Sequence, residues 1–314
     1  MKTAGIICLI LICLILAASY GVYRIVFYSP YPGQNDDHRL MQSAQMAPYI
    51  EISHRMIDAI LARPFERVYI RSFDGLRLSA RYYHQQDGAP LAICVHGYRG
   101  LPTRDFSGGS QLYLQRGMNL LMIEHRGHGQ SEGHTICFGI KERRDVLSWL
   151  FWAQKRLGQD TPVVLSGISM GAATVLMCAG MELPDAVRGI MADCPYTTPK
   201  EIILKVAKGR GLPARLLYPF IWLAARLFGG FSLGGGSAVE GAAKTKKPIL
   251  LFHGEADRFV PCEMSRRIAA ANPGKVELHT FPDAGHGISF LLDRPRYERI
   301  ANAFLDRILK ENRT

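Results

Sequence analysis

Residues 163–181 read Val-Val-Leu-Ser-Gly-Ile-Ser-Met-Gly-Ala-Ala-Thr-Val-Leu-Met-Cys-Ala-Gly-Met. The apolar run at 163–166 predicts a buried strand, and the small and apolar residues from Ala172 onward predict a helix directly after it. Between them Gly167-Ile168-Ser169-Met170-Gly171 is a Gly-x-Ser-x-Gly pentapeptide. Alone it is a weak signal in a chain with 31 glycines among 314 residues. Set between a strand and a helix it predicts a nucleophile elbow, a sharp turn that holds the Ser169 hydroxyl out from the sheet. The following helix turns its partly positive N-terminus toward that hydroxyl.

The same rhythm runs in both directions. Short apolar runs at 91–95, 119–123, 189–192, 248–252 and 276–281 alternate with helical spacing at 141–156, 262–271 and 295–309. Upstream, 68–73 and 77–83 flank Asp74-Gly75, which predicts a hairpin. A hairpin followed by strand–helix alternation implies one α/β domain with a mostly parallel sheet covered on both faces. Residues 197–243 break the pattern. Leu216, Tyr218, Phe220 and Trp222 lie there among Lys205, Lys208, Arg210, Arg215 and Arg226, with glycines at 229–230 and 234–236. A long insertion of this kind predicts a helical cap, here one suited to an acyl chain.

A serine hydroxyl is a poor nucleophile until a base takes its proton. His286, in Asp283-Ala-Gly-His-Gly287, follows the last predicted strand and is the candidate base. Asp257 follows the strand at 248–252 and is the candidate acid that orients it; Asp193, also after a strand, is the weaker alternative. Two backbone N–H groups should face the developing oxyanion. Met170, next to the nucleophile, supplies one, and Tyr98, in the loop after 91–95, supplies the other. His96 reads as a histidine that fixes this loop. Glu142 and Asp145, one turn apart beside Arg143 and Arg144, read as surface ion pairs or caps. His125, His128 and His134 lie close in sequence but lack a metal-site spacing, so no metal is expected.

With these residues in place the chain resembles the α/β-hydrolase superfamily over residues 64–312. The motifs that carry the resemblance are His96-Gly-Tyr-Arg-Gly100, Glu124-His-Arg-Gly-His-Gly-Gln-Ser131, the Ser169 elbow, Asp257-Arg-Phe-Val-Pro261 and Gly285-His286-Gly287. Within it the chain is similar to the Bem46-like and serine aminopeptidase-like lipase and esterase groups. The order Ser169, Asp257, His286 is that of the fold. The resemblance implies an eight-stranded sheet with a cap after strand six, and no cofactor. Many relatives carry Asp where Glu124 stands, at a structural loop that leaves the triad intact.

The N-terminus adds a membrane. Positions 4–23 hold no charged residue and would cross about 30 Å as a helix, the thickness of a bilayer core. Ala17-Ala18-Ser19 offers a signal-peptide cleavage site, but the apolar run continues to Tyr28, which favours an uncleaved anchor. Tyr20, Tyr23 and Tyr28 suit an interfacial belt, and Lys2 leans the short end inside, with the catalytic domain extracytoplasmic. The predicted organisation is therefore an anchor over 1–30, a linker and lead-in helix over 31–63, and the hydrolase domain over 64–314. The linker is turn-rich at 31–35, and the lead-in helix covers 48–62.

The formal charge of +11 comes without a nucleic-acid motif, so a nucleic-acid partner is not expected. A basic face near an anionic membrane suits it better. The seven cysteines are scattered and read as free thiols rather than a disulfide framework. The expected function is a serine hydrolase for carboxylic esters, acyl-lipid or medium- to long-chain esters among them. A peptidase of the same fold, or a binding module without activity, are the alternatives.

Overall fold

The computed structural model describes residues 2–30, 36–40 and 43–310, so the predicted linker at 31–35 lies outside the described residues. Eight strands form one sheet: β1 (Glu66–Arg71), β2 (Arg77–Tyr83), β3 (Leu91–Val95), β4 (Asn119–Ile123), β5 (Val163–Ile168), β6 (Val187–Asp193), β7 (Ile249–Gly254) and β8 (Val276–Phe281). Their order is β1-β2-β4-β3-β5-β6-β7-β8, antiparallel as far as the β2–β4 pair and parallel from β3 onward. This is the α/β-hydrolase fold that the motifs imply. β3, β4 and β5 are almost wholly buried, as strands covered on both faces must be.

The helices are α1 (Lys2–Val22), α2 (Ile50–Leu61), α3 (Pro102–Asp105), α4 (Gly109–Leu114), α5 (Glu142–Leu157), α6 (Met170–Ala179), α7 (Pro199–Gly209), α8 (Ala214–Leu223), α9 (Ala238–Lys244), α10 (Glu263–Ala270), α11 (Ser289–Leu292) and α12 (Arg294–Lys310). α1 runs on into a π-helical turn, Tyr23–Phe27, and α8 into another, Ala224–Phe228. One core layer joins α5, α6 and α9 to the sheet; Trp149 is its largest fully buried side chain. The opposite layer is closed by α4 and α12. A third apolar cluster joins the end of α1 to α7, α8 and the N-terminal turn of α6.

Four expectations need correction. Glu142 and Asp145 are buried, not on the surface. Glu142 accepts the Cys137 and Gly139 N–H groups at 2.7 and 2.9 Å, so it caps the loop before α5 from inside. Asp145 accepts two bonds of 2.7 Å from Arg126, whose guanidinium also grips Asp74 at the tip of the β1–β2 hairpin. Burial pushes the Asp145 carboxyl up to about 6 despite those bonds. Second, α9 is not part of the cap. Its Ala238 and Ala242 are fully buried in the main core against α6, whereas α7, α8 and the turn that follows pack in a separate apolar cluster. Third, Tyr23 does not sit in an exposed belt. It is buried, its hydroxyl 2.9 Å from Thr135 Oγ1, while the half-buried Tyr28 ring stacks on His134. The fourth concerns the cavity described below.

Candidate active site

Ser169 stands at the junction of β5 and α6 with φ 54° and ψ −114°, a backbone conformation that a side chain rarely adopts. The strain is held in place because α6 begins hard against the end of β3. A Cβ on Gly171 would lie 1.8 Å from the Val95 carbonyl oxygen, so only glycine permits the approach. The Ser169 N–H donates to Asp193 O at 2.8 Å and fixes the turn to β6.

Three of the predicted side chains meet at this point. His286, in the loop after β8, has Nε2 2.9 Å from Ser169 Oγ and Nδ1 2.7 Å from Asp257 Oδ2, in the loop after β7. A carboxylate only accepts, so Nδ1 carries the proton and Nε2 is left to accept the serine hydroxyl. The other oxygen of Asp257 accepts the Phe259 and Val260 N–H groups, each at 2.8 Å. Burial would raise the Asp257 pKa, but hydrogen bonds from His253 and His286 outweigh it and hold the carboxyl well below the usual range. It is an anion under all ordinary conditions. Asp193 is buried at the end of β6 and pushed up to about 6 by burial; Nδ1 of His286 turns to Asp257 instead.

The loop after β3 passes over the serine. A Cβ on Gly97 would lie 3.4 Å from Ser169 Cβ, and the Gly97 N–H is held at 2.8 Å by Asp105 Oδ2 of α3. Tyr98, the next residue, lines the same cavity as Ser169, and Met170 follows the serine at the start of α6. His96 lies fully buried beneath them, accepting the His125 N–H at 3.0 Å and donating to Gly97 O at 2.8 Å. Burial lowers its pKa well below the ordinary value, so it is a neutral fixture of the loop. His125 and His128 pack around it, while His134 stacks on Tyr28; the three do not converge on one point.

The sequence did not reveal how this loop is fastened. The Tyr98 hydroxyl donates to Val26 O at 2.8 Å, and Arg99 Nη2 donates to Ile25 O and Tyr28 O at 2.9 and 3.1 Å. All three acceptors are carbonyls at the end of the N-terminal helix, where no further turn satisfies them. Cys194 was also missed. Its thiol, at the end of β6, lies 4.0 Å from His286 Nε2, and burial raises its pKa well above the ordinary value. Its position directly after Asp193 was the available signal.

A cavity of about 430 Å³ opens beside Ser169 and His286. Leu40, Met46, Phe106, Leu112, Ile288 and Phe290 give it apolar walls, with Arg39, Arg99 and Arg104 also lining it. Among the described residues none from the predicted cap at 197–243 lines it. Arg39, Leu40, Met46 and Ser53 of the lead-in region take that place, and Gln45 Nε2 donates to Ala256 O at 3.2 Å beside the acid loop. The 197–243 segment borders the site: Lys205 Nζ donates to Phe259 O at 2.7 Å, and Ile202, Ile203 and Ile221 share an apolar cluster with Met170 and Tyr98.

Sheet order, elbow and the loop over the serine together define a hydrolase of the α/β type. The chain belongs to the Alpha/beta hydrolase family, whose model matches residues 92–301. It is similar to Bacillus subtilis protein YqkD, at 28% identity over 62% of this chain, and spans 64% of that relative's length. It is similar to Schizosaccharomyces pombe Protein bem46, at 23% identity over 73% of each chain. A Danio rerio lysophosphatidylserine lipase, ABHD12, is 25% identical over 72% of this chain and 61% of its own. In three dimensions the chain resembles the Pyrococcus furiosus esterase Pf2001. The TM-score is 0.65 at 23% identity, covering 80% of this chain and 93% of that one.

Proposed function

We propose that this hydrolase is a membrane-anchored serine esterase. Ser169 Oγ attacks the ester carbonyl carbon as its proton passes to His286 Nε2; Asp257 keeps the imidazole in the accepting tautomer and stabilises it once charged. The Tyr98 and Met170 N–H groups receive the oxyanion. His286 then returns the proton to the departing alkoxide, leaving an acyl-serine, and water activated by the same nitrogen releases the acid. No metal or other cofactor enters the sequence of steps. The observation that carries this reading is the pair of hydrogen bonds joining Ser169 to His286 and His286 to Asp257.

The substrate is an ester with an apolar acyl group, because the cavity next to the serine is mainly apolar and its volume suits a small ligand. The esterase and lipase names among the relatives support an ester over a peptide. An aminopeptidase needs a free carboxylate for the substrate's amino terminus. Asp105, on the cavity wall, is already held by Gly97 N–H and Arg104. A series of p-nitrophenyl esters from acetate to palmitate tests the substrate class, with the full-length protein in detergent. The expected result is kcat/KM rising from short to medium chains; a maximum at acetate with no use of longer chains would overturn the acyl-chain reading.

The anchor is the apolar helix from Thr3 to Phe27, which holds an 18-residue stretch of mean hydropathy 2.6, and the proposal places it across the bilayer uncleaved, with the domain on the extracytoplasmic side. Retention of the protein in membranes after alkaline carbonate, with an intact mass that includes the first residues, is the expected result. Its end also bears on the chemistry. Tyr98→Phe keeps the N–H but removes the hydroxyl that holds the loop to Val26 O. We expect kcat to fall about 3- to 10-fold, the worth of one hydrogen bond, with KM little changed. A rise in KM alone would mean that Tyr98 only shapes the binding cavity.

A further inference from the structure

The projecting part of α1 is too short for a bilayer. Residues 3–18 are each exposed, and at about 1.5 Å per residue they reach roughly 24 Å, against a hydrocarbon core of about 30 Å. The next turn must supply the rest, yet there the helix is already against the domain. Ser19 is fully buried, and the Tyr20 and Tyr23 rings pack on Phe228 at 5.2 and 6.0 Å. Whatever surrounds Phe228 is therefore drawn to the membrane with it.

That surface is formed by α8 and its π-helical continuation, and it has the composition of a membrane-lying segment. Leu212, Leu216, Trp222 and Leu227 are exposed, Leu216 by 75%. A stable soluble surface seldom leaves so many large apolar side chains on neighbouring turns uncovered. Lys208, Arg210, Arg215 and Arg226 are exposed among them, and Arg24 stands at the foot of α1. Apolar side chains reaching into the acyl boundary, with basic ones beside the headgroups, describe an interfacial helix on an anionic leaflet. Trp222 is the residue type that such a boundary favours.

We infer that α8 and the turn Ala224–Phe228 lie in the interfacial zone of an anionic bilayer, so that the cap is a second membrane contact and not the lid of the acyl cavity. The inference rests on the proposed anchor. It accounts for the fact that the cap does not line the cavity, and it continues the apolar surface of α1 onto the domain. The carbonyls of Ile25, Val26 and Tyr28, which hold the loop over Ser169, then stand at the bilayer edge.

The chain has three tryptophans: Trp149 is fully buried and Trp152 half-buried, both in α5, which leaves Trp222 as the reporter. Full-length protein is reconstituted into vesicles of phosphatidylcholine with a minority of phosphatidylglycerol, the acyl chains either brominated near the headgroup or not. Brominated lipid should quench part of the wild-type emission and leave Trp222→Phe unchanged. Leu216→Trp placed in the Trp222→Phe background should restore the quenching. Equal wild-type emission in both vesicles, or quenching that survives Trp222→Phe, overturns the inference. Unquenched Trp222 whose emission shifts with protein concentration also overturns it, since a second copy would then cover the face. Carbonate extraction and intact mass on the same sample separate these results from failure of the anchor itself, which would appear as released or shortened chain.

Discussion

Asp257→Asn is expected to lower kcat on an activated ester by about 10⁴-fold, with KM changed by less than a few-fold. The expectation follows from the bonds on both sides of the carboxylate. Oδ1 accepts the N–H groups of Phe259 and Val260, so an amide nitrogen cannot occupy that position without facing two donors. The asparagine carbonyl must stay there, and its NH₂ must point at His286 Nδ1. That nitrogen then has to accept, which moves the imidazole proton to Nε2, beside Ser169 Oγ. The serine meets a donor where it needs a base. Folding should survive, because the new side chain has the same shape and keeps the two loop bonds. Steady-state kinetics beside a thermal melt checks both halves. A fall of less than tenfold would mean that Asp193 or another group orients the histidine.

Arg126→Met is expected to cost about 3–5 kcal/mol of folding stability, the range for removing one partner of a buried ion pair. Arg126 and Asp145 have side chains only 3% and 2% exposed, and Glu142 is buried close by. Removal of the guanidinium leaves two desolvated carboxylates without that cation and leaves Asp74 at the hairpin tip to Ser72 and Lys141. The sign of the pH dependence follows. Asp145 already has its folded pKa raised above the unfolded value, to about 6, and losing Arg126 removes attraction that lowers it. A raised folded pKa favours folding while the group is protonated, and that advantage is lost as pH rises through the folded value. The variant should therefore come closer to wild type at pH 5 than at pH 8. Chemical denaturation at the two pH values measures it, and an equal deficit at both would show that lost packing, not charge, is responsible.

What the sequence made legible depended on how local the signal was. The runs at 91–95 and 119–123 coincide with β3 and β4, because a strand buried on both faces announces itself by composition, and the run at 276–281 coincides with the half-buried edge strand β8. Ser169, Asp257 and His286, which the structure brings within hydrogen-bond distance, stand out in the sequence because each follows a strand in a loop with its own small-residue pattern. Burial of Glu142 and Asp145 was not legible. Two acids one turn apart look solvent-facing until a distant arginine, Arg126, is folded against them. The cavity walls were misassigned for the same reason. Residues 39–53 carry no motif, and only tertiary packing brings Leu40 and Met46 beside the serine, while the apolar cap at α8 drew the reading toward itself. α9 was joined to the cap because its Ala-Val-Glu-Gly-Ala-Ala sequence follows the glycine-rich joint without a break. Its alanines are small because α6 lies against them.

An activated Ser169 is the feature on which the proposed chemistry depends. Full-length protein treated with a fluorophosphonate in detergent micelles, then digested and weighed, tests it most directly. The expected result is one adduct, on the peptide that carries Ser169, absent in Ser169→Ala and formed far more slowly in His286→Ala. A folded wild-type protein that takes up no phosphonate, or takes it up equally after Ser169→Ala, would contradict it.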